Sequence, residues 1–100
     1  MNITDEYAAK LNDHFKPETP LSAEQYGEMI EPFNEFYRSV LLLHVCEGKS
    51  LTEISAIRDS NVIRIQQIFS KPERMMKARI QNPGRKYRVS DFLDKPEDEA

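Results

Sequence analysis

Apolar residues recur along the chain at helical spacing, in blocks separated by prolines, glycines and short polar side chains. Tyr7, Leu11 and Phe15 stand four apart, with Thr4 placed to cap their helix. Lys16-Pro17 closes that block, because the residue before a proline is driven out of the helical region. Beyond the connector from Pro17 to Pro20, Ser22 and Gln25 have the spacing of a capping box, in which each side chain satisfies the other residue's backbone N–H. Tyr26, Met29, Ile30 and Phe33 then form the inner face of a second helix, weakened slightly by Gly27. From Asn34 to Glu47 the chain is apolar around most of the helical circumference (Phe36, Tyr37, Val40 to Leu43, Val45, Cys46). This predicts a central, nearly buried helix stopped by Gly48.

Ser50 and Glu53 repeat the capping-box spacing and start a short helix with Leu51, Ile54 and Ile57 inward. Asp59, Ser60 and Asn61 make a turn and offer caps to a further helix reaching about Phe69, in which Val62, Ile65, Ile68 and Phe69 face the core. The run Val62-Ile63-Arg64-Ile65 is β-branched enough to suit a strand, but its spacing from Ser50 favours helix. Pro72 fits the first position of a last helix, Glu73 to Gln81, which offers Met75, Met76 and Ile80 for packing. Asn82-Pro83-Gly84 is a turn, residues 85–89 suit a short extended arm, and the acidic stretch 90–100 is expected to be disordered. The expectation is an all-α, compact domain of five or six helices over residues 1–89, ending in an extended arm and an acidic tail.

One hundred residues with 39% apolar content are about one domain, able to bury a core without metal or disulfide staples. Cys46 is the single cysteine and sits in the apolar run, so it reads as a core residue of a reducing compartment. Met1 to Lys10 lacks the pattern of a secretory leader, and Val40 to Leu43, the longest unbroken apolar run, is far too short for a membrane span. A cytoplasmic protein with no membrane partner is expected. The net charge of −3 hides a segregation: residues 1–36 hold eight acids against Lys10 and Lys16, while residues 37–89 hold eleven bases against Glu47, Glu53, Asp59 and Glu73. A basic middle between acidic flanks is the pattern of a surface that attracts polyanions, although a solvated face has the same composition.

Candidate chemistry is sparse. His44 and Cys46 are two apart on a helix, so their side chains diverge by about 200° and do not converge on one metal. His14 has Asp13 and Glu18 nearby but no second histidine or cysteine. The chain has no Gly-rich phosphate loop, nucleophile elbow or paired-carboxylate motif. The expectation is a non-enzyme, with no catalytic residue, metal, cofactor or small-molecule ligand.

Two short helices joined by a tight polar turn, after a long apolar helix, meet the requirements of a helix-turn-helix; an ordinary helical hairpin with a solvated face meets them equally. In the first reading the helix after Asn61 enters the major groove, where arginine binds guanine O6 and N7 and glutamine binds adenine N6 and N7. Asn61, Arg64, Gln66, Gln67 and Lys71 are then candidate DNA contacts, with Arg85, Lys86 and Arg88 lying along the phosphate backbone.

The segment Leu21-Ser22-x-x-Gln25-Tyr26, the apolar helix ending Glu47-Gly48-Lys49 and the two short helices resemble the DNA-binding part of KorA, the TrfB family of plasmid transcriptional repressors, over residues 21–69. Ile54, Ser55 and Ile65 fall where the motif places an apolar, a small and a branched apolar residue. Gln67 falls on a glutamine of the family's recognition helix, so the resemblance implies a base-reading role for it. Arg58, Asp59 and Ser60 depart from the motif's leucine, glycine and apolar residue, and Val62 stands where the family has an arginine. The resemblance implies a repressor that binds operator-like double-stranded DNA, and the class implies a homodimer reading two half-sites. The alternative is a small mobile-element or phage protein that inhibits a host complex through its acidic N-terminal helices.

Overall fold

Each helix begins at a side chain chosen to accept a backbone N–H. In the computed structural model, which describes residues 2–81, α1 (Asp5–Phe15) starts at Thr4, whose hydroxyl accepts from Tyr7 N–H at 3.1 Å. The helix ends at Lys16, in the left-handed conformation, immediately before Pro17. Both expected capping boxes form. Ser22 and Gln25 open α2 (Ala23–Ile30), and Ser50 and Glu53 open α4 (Leu51–Ile57). The Ser50 hydrogen bonds hold the exposed Glu53 carboxyl below the usual carboxylate range. Asn34 caps α3 (Glu35–Val45) by accepting from Phe36 N–H at 2.9 Å. That helix stops just short of Glu47; Gly48, at φ +71°, turns the chain while Lys49 N–H bonds back to the Leu43 carbonyl at 3.0 Å.

The fold is all-helical, with five helices and no strand among the described residues. The fifth, α5 (Val62–Gln81), bears out one expectation from the sequence and corrects another. Val62 to Ile65 is helical rather than extended. Pro72 does not begin a separate helix but lies buried inside α5, which runs unbroken for 20 residues. A proline mid-helix removes one N–H and crowds the preceding turn, at a cost of about 3 kcal/mol or more. Here Ile65, Ile68, Phe69, Pro72 and Met76 recur at helical spacing on one buried face, so continuing the helix keeps all five in the core. The turn before the proline also carries a side-chain bond, from the Ser70 hydroxyl to the Gln66 carbonyl at 3.0 Å.

One core joins all five helices, and α5 packs most extensively, against α3 and α4. Leu11, Tyr26, Ile30, Val40, Leu41, Ile54, Ile65 and Met76 are wholly enclosed. The central helix is less uniformly buried than its composition predicts, since Leu42, Leu43 and Val45 are only half-buried. Phe33, expected on the second helix, is buried in the turn beyond it, its N–H bonded to the Ile30 carbonyl. Ile57 is the clearest departure: expected inward, it is 56% exposed, because α4 ends there and the next side chain, Arg58, takes the place over α3.

Polar ties fix the N-terminal half. The Asn12 side chain accepts from Leu21 N–H and from the Tyr26 hydroxyl and donates to the Leu21 carbonyl, all within 3.0 Å. Burial pushes the Tyr26 hydroxyl up to about 12, so it remains a donor throughout the physiological range. His14, read from the sequence as an improbable ligand, pairs with Glu73 at 2.9 Å and joins α1 to α5.

Cys46 is buried, with its Sγ 3.7 Å from the Tyr7 carbonyl, and burial pushes the thiol up to about 11. Alkylation by iodoacetamide at pH 8 is therefore expected to be far slower on the folded chain than in urea. Equal rates would place the thiol at the surface.

Candidate nucleic-acid interface

The turn between α4 and α5 is where the sequence departs most from the motif it resembles. Arg58 C-caps α4, and its guanidinium lies 4.3 Å from the Phe36 ring centroid, with Glu35 at 3.5 Å. An arginine thus covers the α3 surface in the place where the motif has a leucine, using its planar cation over an aromatic face. Asp59 adopts φ +52°, the left-handed conformation for which the motif's glycine is suited. Aspartate is one of the few other residues that tolerates it. Ser60 N–H then bonds back to the Ser55 carbonyl at 2.8 Å, closing the end of α4 as a Schellman turn does.

This geometry sets a prediction. Asp59→Gly is expected to leave stability unchanged or slightly raised, whereas Asp59→Val destabilises by about 1–2 kcal/mol, because a β-branched side chain clashes in the left-handed region. Urea titration of both variants checks it; equal stability would mean that the turn is not left-handed at residue 59.

Asn61 starts α5. Its side-chain carbonyl accepts from Arg64 N–H at 2.8 Å, so this candidate contact also orders the helix that would present the others. Gln66 and Gln67 are exposed. Arg64 and Lys71 are half-buried on the flank of α5, and the Lys71 ammonium lies 5.5 Å from the Tyr37 ring centroid on α3. Arg85, Lys86 and Arg88 lie outside the described residues.

Because α5 is continuous, its outer face is longer than the sequence reading allowed. Ile63, Gln66, Gln67, Ser70, Arg74 and Lys77 recur at helical spacing and all are exposed. Arg74 and Lys77 escaped the sequence reading because a break at Pro72 would have rotated them off that face. Ile63, left off the core face by the periodicity and not named as a contact because it is apolar, is 64% exposed. The whole of α5 carries five bases against one acid, Glu73, which is turned to His14 and Lys77.

His44 serves the fold, its Nδ1 2.7 Å from the Lys49 carbonyl and its ring edge-on to Phe69. Among the described residues no group of three or more His, Cys, Asp or Glu side chains could hold a metal, and no helix is long and apolar enough to cross a membrane. A cleft of about 670 Å³ opens at the far end of α5, and Phe15, Leu21, Glu28, Met29, Lys77 and Ile80 are among its lining residues. Comparison of the chain with protein-family models, curated proteins and solved structures found no match.

Proposed function

We propose that the chain binds double-stranded DNA in a sequence-specific manner and regulates transcription, as a homodimeric repressor of the KorA/TrfB type, with α5 as its recognition helix. The observation that carries this reading is the α4–α5 unit. A capped short helix, a left-handed turn at Asp59 and a capped long helix follow one another, and the long helix turns an exposed polar face outward. A major groove about 12 Å wide accepts one such helix, whose early turns reach base edges. In this reading Gln66 and Gln67 meet bases, and Arg64, Lys71, Arg74 and Lys77 serve the phosphates on either side. The Asn61 carbonyl is committed to its cap, which leaves its amide nitrogen to donate to a backbone oxygen. Two half-sites read together give the discrimination that one short stretch of helix lacks.

The test is a fluorescence anisotropy titration, over a range of salt, with duplex DNA from upstream of the protein's own reading frame and with a scrambled duplex. Tight binding to the first is expected, weaker binding to the second, and a steep fall of both with salt as counterions are released. Binding to neither duplex, together with no retention on heparin at moderate salt, would overturn the reading. It would direct attention to the acidic surface of α1 and α2, where Asp5, Glu6, Asp13, Glu24 and Glu28 are exposed.

A further inference from the structure

We propose that Ile63 reads a thymine, and that the half-site recognised by α5 places that thymine about two base pairs from an adenine held by a glutamine. This rests on the DNA-binding reading above. Ile57 and Ile63 are the two large hydrophobic side chains exposed among the described residues, and single exposed apolar residues need no explanation in themselves. What distinguishes Ile63 is its company. It stands in the first turn of α5, and Gln66, Gln67 and Ser70 follow it at three, four and seven residues, all exposed. Successive residues advance by about 100°, so these four share one narrow stripe. That stripe presents a branched hydrocarbon, two primary amides and a hydroxyl, without a charge.

The hydrocarbon and the amides each have a distinct counterpart on the major-groove edge of an A·T pair. The C5-methyl of thymine is the one apolar group the four bases show there, and an aliphatic side chain contacts it at no cost in unpaired polar atoms. Adenine shows an acceptor and a donor side by side, which a glutamine amide matches in bidentate fashion. From Ile63 to Gln67 the helix rises about 6 Å, on the order of two base-pair steps of ~3.4 Å. The surroundings fit DNA better than a protein groove. No acidic residue occurs between Val62 and Pro72, and Arg74 and Lys77 continue the same face with positive charge, complementary to phosphates.

The experiment selects duplexes from a random-sequence library with the full-length protein, then replaces each thymine of the selected duplex by deoxyuridine, which deletes only the methyl group. Affinities are measured by anisotropy for the wild type and for Ile63→Ala, whose melting curve is recorded alongside. At one position the substitution is expected to weaken the wild type about three- to tenfold and to leave Ile63→Ala unaffected. If selection converges but no deoxyuridine position distinguishes the two proteins, Ile63 does not read thymine and the DNA-binding reading stands. If Ile63→Ala changes self-association and not the deoxyuridine response, Ile63 belongs to a protein contact and the inference fails. If selection does not converge and no duplex is bound above random DNA, both fall together.

Discussion

Ile65→Ala is expected to lower the unfolding free energy by about 2–5 kcal/mol, while Ile63→Ala, two residues away on the same helix, stays within about 0.5 kcal/mol of the wild type. The side chains are chemically identical and both lie in the opening turns of α5, so the contrast isolates burial. Ile65 is wholly enclosed, in the same core cluster as Leu41, Ile54 and Phe69, where α5 packs against α3 and α4. Truncation there removes the transfer free energy of three carbons and leaves a cavity that neighbours fill only partly. Ile63 is 64% exposed, and truncating it leaves no cavity. Urea denaturation with a shared slope measures both. Equal losses would mean that α5 is rotated about its axis from the orientation described here, and the assignment of its outer face would be lost as well.

The helices were legible because local chemistry and long-range packing agree over most of the chain. Thr4, Ser22, Asn34, Ser50 and Asn61 all cap, and the apolar positions that follow them at helical spacing are for the most part those that are buried. The misreadings arose where the two disagree. At Pro72 the local rule calls for a break, but the apolar face of α5 runs through the proline without a change of phase, and packing prevails. At Ile57 the periodicity points inward, but it cannot register that the helix ends there and that Arg58 covers Phe36 instead. Pairings between distant residues, such as His14 with Glu73 or Asn12 with Tyr26, leave no periodic trace in the sequence.

The candidate interface was half legible. Exposure of Gln66 and Gln67 follows from period alone, and the cap at Asn61 from residue type. The left-handed turn was obscured because an aspartate stands in the motif's glycine position, although Asp59 adopts the conformation that the glycine would. Arg64 and Lys71 were legible as bases but not as half-buried ones. A sequence shows where a long side chain begins and not which neighbour its stem lies along.

Gln67→Ala is expected to weaken binding to the selected duplex by about 1–3 kcal/mol and to leave affinity for scrambled DNA nearly unchanged. Gln67 is exposed one turn beyond Ile63, at the depth in the proposed recognition helix from which side chains would reach base edges, and its amide carries no charge to attract phosphates. In the proposed docking its loss removes a paired donor and acceptor from an adenine edge and leaves the counterion balance untouched, so the slope of log affinity against log salt is expected to stay at its wild-type value. Arg74→Ala makes the complementary case, since in the proposed docking an exposed cation about two turns further along the same face would meet the phosphate backbone and not the base edges of the central pairs. That variant is expected to lose affinity for every sequence alike, with a slope shallower by about one. Neither substitution touches the core, so both proteins should melt within the range of surface variants and the affinities can be compared directly. A Gln67→Ala loss that is equal on selected and scrambled DNA would mean that this glutamine does not read bases, and a Gln67→Ala slope as shallow as that of Arg74→Ala would move it to the phosphates.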